Sequence, residues 1–594
     1  MTLLAPKAAE PVDDNATPAT KTSYKAGDSR FTAFSGISLF LAIVFVILAL
    51  YPIGLTLVKL FFPDGSFDPN ALGRVLDQPG LWQILLNTVI LVVAGGILAV
   101  IGGSVLAWLS VRTDAKIKWI GGVLPLLPFL LPALVGTIGW TMLLSPQAGF
   151  INVFLRSLLT PLGIEMTQGP IDIYSWGGTI FIYGIYMMPF TFLLVAAGLQ
   201  NTDSQLEEQS RVSGAGIFRT IVKVTLPAVR PSLGAAMLLT VWFGFAFFSG
   251  PAILAGRSGI DVLSVRIVEL LTFSYPADIG TAVGLSFFML IAVAIAWYAQ
   301  TRVLKKATFS TITGRGKATE IELGKWRWLG RVIIIGYIVI STVLPVLALL
   351  WVALRGYWSS DFTLEGLSFQ QFYIVLFQDM LTTKAITDSL QLAVIGATIG
   401  MLVAAVIARF VQSNGGRTGR IVDVLIKIGA PIPAIVLAVG VLLAFAGPPF
   451  SLGGTLVILL LAYLAHFLPQ ATVNADAAAA QVGPQLLEAS HISGAGDART
   501  FGRISLPLML PDLIAGWALL FLWMFGEVNA SIILASTRNP VIGMQVYNLY
   551  EQGFYGKLAA LAILVLLIGG IVVTVTTLLS RWIRGGQNKV AKLR

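Results

Sequence analysis

Twelve apolar stretches, each long enough to cross a bilayer as a helix, run through this chain. They centre on residues 37–60, 82–110, 120–143, 177–199, 232–254, 280–301, 330–354, 388–411, 424–446, 454–475, 513–535 and 558–580. A spanning helix needs about 20 mostly apolar residues. Only 11% of the residues are charged, against about a quarter in soluble domains. The predicted fold class is all-α integral membrane. The chain has no cysteine, which excludes disulfides, thiolate metal sites and thiol nucleophiles. The first apolar stretch is too long for a signal-peptide core, and no small-residue cleavage site follows it, so it is predicted to be retained.

Charge placement orients the chain. With an even number of helices and a cytoplasmic N-terminus, 29 of the 39 Lys and Arg fall in cytoplasmic segments and nine on the other side, while Lys427 lies in a helix. Cytoplasmic loops carry the excess of basic residues, so both termini are predicted to be cytoplasmic. The formal charge of +10 thus sets topology, and no nucleic-acid partner is implied. The partner implied by composition is membrane lipid. Domain limits follow: a disordered tail over 1–30, a first half over 31–303, a polar basic linker over 304–328, a second half over 329–583 and a basic tail over 584–594.

The halves are copies. Gln205–Leu233 and Gln485–Leu513 are identical at 14 of 29 positions, with Gln485 answering Gln205 at an offset of 280. Tyr183 answers Tyr463 and Pro189 answers Pro469 in the same register. Each copy falls in the cytoplasmic loop between the fourth and fifth helix of its half. Six helices per half keep the two copies in the same orientation, as in a parallel repeat. The shared grammar is a Glu, a Gly six residues on, nine residues, an aliphatic, one residue, then Leu-Pro. These are Glu208, Gly214, Val224, Leu226 and Pro227, then Glu488, Gly494, Ile504, Leu506 and Pro507. Ser204 to Glu207 reads as a capping box, and Pro484 suits the first turn of a helix. Gly214-Ala-Gly216 and Gly494-Ala-Gly496 supply backbone freedom for a sharp turn. The prolines are expected to push Leu226 and Leu506 out of helical geometry and end each segment.

This pattern resembles the EAA loop of ABC importer permeases, the cytoplasmic element that docks into an ATPase subunit. Gln209-Ser210 and Ala489-Ser490 stand where that family has Ala-Ala. The resemblance implies two fused permease halves of the type I importer fold, coupled through Glu208, Gly214, Phe218, Leu226, Pro227, Glu488, Gly494, Arg499, Leu506 and Pro507. It also implies a periplasmic binding protein and an ATPase homodimer as partners, in a bacterial inner membrane. Phe248-Ser-Gly-Pro and Gly526-Glu-Val-Asn-Ala-Ser resemble the iron(III) branch of the family. Phosphonate, thiamine and polyamine importers use the same machinery. No phosphate-binding loop is present: Gly316-Lys317 is followed by Ala, and Gly324-Lys325 and Gly556-Lys557 lack the flanking Gly and Ser/Thr. No catalytic residue, cofactor or metal is therefore expected on this chain, and ATP with Mg belongs to the partner.

Ionisable groups at bilayer depth are functional candidates by default. Glu527, in the eleventh stretch with Asn529 and Ser531, has two roles open to it: lining a pathway or bonding to a neighbouring helix. Ser249 occupies the matching part of the fifth stretch. His466 answers Tyr186 and reads first as a packing residue, second as a pathway residue. Asp388 reads as a helix cap opposite Asn87, and Arg409 and Lys427 are expected to snorkel to the cytoplasmic surface. An ion-coupled secondary transporter, the rival class, needs a relay of buried charges. Uptake into vesicles is therefore expected to require ATP and a separate ATPase, and to survive collapse of ion gradients; uptake driven by a gradient alone would assign the chain to the rival class.

Overall fold

A computed structural model describes residues 33–592, apart from 64, 118–126, 130, 203–204, 307–319, 360–361 and 414–415. The predicted tail over 1–30 and most of the linker lie outside the described residues. The predicted basic tail begins inside the last helix, which runs on to Lys592.

The described residues form helices, with one isolated β-bridge between Thr113 and Ile321. The first half contains α1 (Ala33–Phe61), α2 (Leu81–Arg112), α3 (Ala133–Leu144), α4 (Trp176–Asn201), α5 (Gln205–Val212), α6 (Ile217–Phe245), α7 (Ser249–Ser258) and α8 (Ile279–Lys306). The second contains α9 (Gly324–Arg355), α10 (Met380–Ser413), α11 (Arg417–Lys427), α12 (Ala434–Phe445), α13 (Leu456–Ala479), α14 (Pro484–Ile492), α15 (Asp497–Phe525), α16 (Ser531–Leu534) and α17 (Tyr555–Lys592). Ten of these are long and apolar enough to span.

Two predicted spans are not continuous helices. The stretches 120–143 and 424–446 contribute the twelve-residue helices α3 and α12, each beginning after a proline, Pro132 and Pro433. Proline has no N–H and disfavours helical geometry in the residue before it, so Pro128 with Pro132 and Pro431 with Pro433 break both segments. Amphipathic α11 precedes the second break. The fifth and eleventh spans also end early, at Phe245 and Phe525, and the chain turns before α7 and α16.

Each half is built on three packed helices: α2, α4 and α6 in the first, and α10, α13 and α15 in the second. Without a hydrophobic drive in lipid, close approach relies on small residues. Gly95 and Gly103 of α2 accordingly sit against Tyr183 and Thr191 of α4, and the Thr191 hydroxyl donates to the Ala99 carbonyl at 2.7 Å. In the second half Gly400 of α10 faces Leu520 and Leu464.

The halves exchange their first helices. α1 packs mainly on α12 of the second half, and α9 packs on α3 of the first as well as on α17 of its own half. Both crossings are a glycine seated on a proline: Gly440 on Pro52 and Gly139 on Pro345. Other sequence expectations change. Asp388 lies eight residues inside α10 and is buried, because α10 begins earlier than the apolar pattern does, so it caps nothing. Arg409 is only 3% exposed and within electrostatic reach of Asp497, so it is held by packing rather than snorkelling to water. Lys427 is paired with Asp423 and with Asp476, the latter at 2.8 Å.

A Cβ at Gly440 would lie 2.7 Å from the Pro52 carbonyl oxygen and 3.0 Å from its Cβ, and neither can yield without moving α1. Gly440→Leu should therefore lower melting temperature and membrane abundance, at an overpacking cost of about 1–3 kcal/mol. Gly336→Ala, which meets nothing within 4 Å, should leave both unchanged.

Candidate functional site

The duplicated motif folds into two elbows of the same build. In the first, α5 ends and Gly214 turns the chain with φ +83°; in the second, α14 ends and Gly494 does so with φ +80°. The left-handed region costs a side-chain-bearing residue about 1–2 kcal/mol, which is why glycine stands at both. The Ala215 N–H donates to the Ser210 carbonyl, and the Ala495 N–H to the Ser490 carbonyl, both at 3.1 Å. The Ser210 and Thr220 hydroxyls lie 3.1 Å apart, and those of Ser490 and Thr500 2.9 Å. These four hydroxyls tie the arms of each elbow together. All are among the positions identical between the copies, and that identity was the signal for them.

Leu226 and Leu506 are helical, at φ −61°, ψ −44° and φ −60°, ψ −47°, so the prolines do not end the segments. A single π-helical turn, Ile221–Thr225 and Phe501–Ser505, precedes each Leu-Pro. The wider turn hydrogen-bonds i to i+5 and accommodates a residue that has no N–H, so Pro227 and Pro507 sit inside continuous helices that run from the elbow into the membrane. The elbow and the fifth spanning helix of each half are thus one rod.

Glu208 and Glu488 are exposed. The buried acid is Glu207, which accepts from the Thr225 hydroxyl at 2.8 Å and lies 3.8 Å from Arg112. Ser204, its expected capping partner, lies outside the described residues. Phe218 is 80% exposed, and so are two apolar residues not singled out in the sequence, Val212 at 89% and Ile492 at 87%. Val212 and Ile492 occupy equivalent positions at the ends of α5 and α14. Arg499 is exposed, and Asp497 lies 3.6 Å from His491.

Above the elbows lies a cavity of about 330 Å³ between the halves. Its walls come from equivalent positions. Tyr186, Phe190, Trp242, Phe243, Phe247 and Ser249 of the first half face His466, Gln470, Leu522, Trp523, Glu527 and Asn529 of the second. Both proline breaks, Pro132 and Pro433, open onto it, and the Trp242 indole N–H donates across the halves to the Pro431 carbonyl at 2.8 Å. The first-half wall is mostly aromatic, while the second carries His466, Gln470, Glu527 and Asn529. The structure therefore brings Ser249, His466, Glu527 and Asn529 together.

Ser531 lies behind this wall. Glu527 lies in the turn after α15 rather than in a helix, and its carboxylate points into the protein. It accepts from the Ala530 N–H at 2.9 and 3.1 Å, the Ser531 N–H at 3.0 Å and the Ser531 hydroxyl at 2.9 Å. The Tyr463 hydroxyl lies 2.7 Å from that of Ser531. The carboxylate starts α16 and supplies acceptors to backbone N–H groups at a depth where water is scarce. Among the described residues no three His, Asp or Glu side chains gather as they would to hold a metal ion.

Two rods bearing elbows at one end, with a cavity between duplicated halves, make up a membrane-spanning fold. Residues 396–585 match the family described as binding-protein-dependent transport system inner membrane component. The ferric transport system permease protein FbpB of Actinobacillus pleuropneumoniae is 24% identical over 542 residues, covering 90% of this chain and 76% of that protein. The putative ferric transport system permease protein FbpB 1 of Haemophilus influenzae is 24% identical over 537 residues, covering 89% and 81%. The spermidine/putrescine transport system permease protein PotC of Haemophilus influenzae is 27% identical over 220 residues, covering 36% and 85%. Nearly the whole chain is thus similar to ferric transport permeases, its residues 396–585 match a transport-system inner membrane component, and its ten long apolar helices make it a multi-pass membrane protein.

Glu527→Gln would turn an NH2 group toward at least one of the N–H donors now bonded to the carboxylate. Leaving buried donors unmatched costs about 1–3 kcal/mol. The variant should melt lower in detergent, with transport falling in proportion to abundance; normal stability with lost transport would instead make the charge itself the functional element.

Proposed function

We propose that this chain forms the translocation pathway of a binding-protein-dependent importer in a bacterial inner membrane, with both termini cytoplasmic. A periplasmic binding protein delivers a small solute to the outer face, and a separate ATPase homodimer, which holds ATP and Mg, drives the cycle from the cytoplasm. The single observation that carries this reading is the pair of matched elbows, each continuous with a spanning helix and each presenting exposed apolar side chains. Exposed apolar groups of this size, at equivalent points of a repeat, suit a partner with two equivalent sockets.

In this reading Gly214 and Gly494 hold the turns, and Leu226-Pro227 and Leu506-Pro507 carry the load into the rods. Val212, Phe218, Ile492 and Arg499 meet the ATPase. Glu208 and Glu488, exposed on the first arm of each elbow, face the same partner. Ser249, His466 and Asn529 line the route.

Iron(III) is the substrate with most support, from two ferric permeases similar along nearly the whole chain. The ion would pass through the membrane part without chelation and be recognised on the binding protein. Polyamine is the second reading, supported by the likeness to PotC and by an aromatic wall able to meet organic cations. Calorimetry on the purified binding protein, with ferric iron in one titration and spermidine in another, separates the two.

Gly214→Val or Gly494→Val should insert normally but lose transport, because a β-branched residue resists positive φ; full transport by either variant would remove the elbows from the coupling path. Phe218→Ala should lose more ATPase in a pull-down than Arg499→Ala, because a desolvated aromatic anchor contributes more than an exposed charge. Equal retention would count against unequal docking.

A further inference from the structure

Beneath the near-identity of the two elbows, the halves anchor them differently, and two matched positions carry different residues. In the first half the Arg112 guanidinium, 1% exposed, donates to the carbonyl of Leu199 at 2.8 Å, the carbonyl of Thr202 at 2.9 Å and the Thr202 hydroxyl at 2.7 Å. It thereby holds the end of α4 and lies against buried Glu207 of α5, which in turn accepts from Thr225 in the π-helical turn. In the second half Gln412, an exposed residue of α10, donates to the carbonyl of Ala479, the counterpart of Leu199, at 3.1 Å. Leu487 replaces Glu207, and the Ser505 hydroxyl, answering Thr225, is buried with no hydrogen-bond partner among the described residues. In the first half Glu207 bonds Thr225 and sits 3.8 Å from the Arg112 guanidinium; in the second, the counterparts Leu487 and Ser505 are neutral and unlinked.

The backbone of Arg112 makes a second connection. The Ile321 N–H, at the end of the linker between the halves, donates to the Arg112 carbonyl at 2.8 Å, and the Asp114 N–H returns a bond to the Ile321 carbonyl at 3.2 Å. The Leu323 N–H donates to the Asp114 carboxylate at 3.0 Å, Lys116 pairs with Glu320, and Ile321 is buried. One residue thus joins the linker through its backbone and the first elbow through its side chain.

We infer that Arg112 is a positioning residue that clamps the first elbow to the linker, so that the two halves transmit the ATPase stroke unequally, the first as a stiff arm and the second as a compliant one. A buried ion pair adds little net stability over apolar residues of similar size, so stability alone gives no reason for the pair. What it adds is geometry: three elements, α4, α5 and the π-helical turn of α6, are held through one guanidinium and one carboxylate, and a push on the elbow cannot be absorbed by slack between them. The inference rests on the elbows being the ATPase coupling elements.

The test uses the full transporter in proteoliposomes, with ferric iron loaded on the binding protein as probe, and reads iron moved per ATP hydrolysed. Arg112→Gln with Glu207→Leu removes the guanidinium and the carboxylate together, so that neither charge is left buried without the other. It should insert at normal abundance and still hydrolyse ATP, but move about threefold less iron per ATP, a shift within the range of coupling mutations. Ile321→Pro removes the linker's N–H donor without touching the Arg112 side chain, and should lower the same ratio. Arg112→Lys, which keeps the charge but cannot reach three acceptors, should fall between the parent and the double variant. An unchanged ratio in the double variant, or in Ile321→Pro, overturns the inference. If the double variant does not accumulate, Ile321→Pro decides alone. A parent that takes up iron without ATP would instead overturn the importer reading.

Discussion

Lipid offers a backbone no hydrogen bonds, so every place where a helix stops inside the membrane must be repaired from within the protein. Among the described residues, four helix ends, after α6 and α15 and before α3 and α12, lie on the wall of one cavity. The breaks are tolerated because they face each other across a space between the halves and not the acyl chains. Glu527 is the plainest repair: its carboxylate receives the N–H groups of Ala530 and Ser531, which would otherwise be unmatched at the start of α16. The pathway and the interruptions of the helices are one feature of the fold.

The helix exchange follows from the same geometry. Short helices such as α3 and α12 cannot shield the broken segments on their own, and a full-length helix from the opposite half covers each. The crossings are close because glycine presents no side chain to the proline opposite, so Pro52 and Pro345 seat directly on the α12 and α3 backbones. Fusion into one chain suits this arrangement, since the first helix of each half reaches across to the other.

Duplication keeps the mechanical parts and frees the rest. Gly214 and Gly494, the Ser210–Thr220 and Ser490–Thr500 hydroxyl pairs and the π-helical turns are repeated in both halves. The cavity wall and the anchorage of the elbows are not. Tyr186 answers His466, Phe247 answers Glu527 and Glu207 answers Leu487, while the Leu199 carbonyl is held by Arg112 and its counterpart at Ala479 by Gln412. Parts that set shape recur because a turn admits few residues. Parts that set chemistry diverge because each half meets the solute and the linker from a different side.

The membrane class, the repeat, the position of both elbows and the need for glycine at 214 and 494 were legible in the residues themselves. Apolar length and a constant register are local properties that no packing can undo. Hydropathy could not reveal that two spans are broken, since a proline-interrupted apolar run scores like a helix. Nor could it reveal that Pro227 and Pro507 lie within a rod, because a π-helical turn leaves no compositional mark. The direction of a side chain was beyond it too: Glu527 near a pore and Glu527 turned back onto Ala530 and Ser531 have the same sequence, as do an Arg112 that snorkels and one that binds Leu199, Thr202 and Glu207. The sequence by itself determined which segments lie in lipid and which glycines must turn. The tertiary structure decided which buried charges find partners: those of Arg112, and Asp476 for Lys427, lie tens of residues away until packing brings them within reach, and Glu527 meets Ala530 and Ser531 only because the chain turns there.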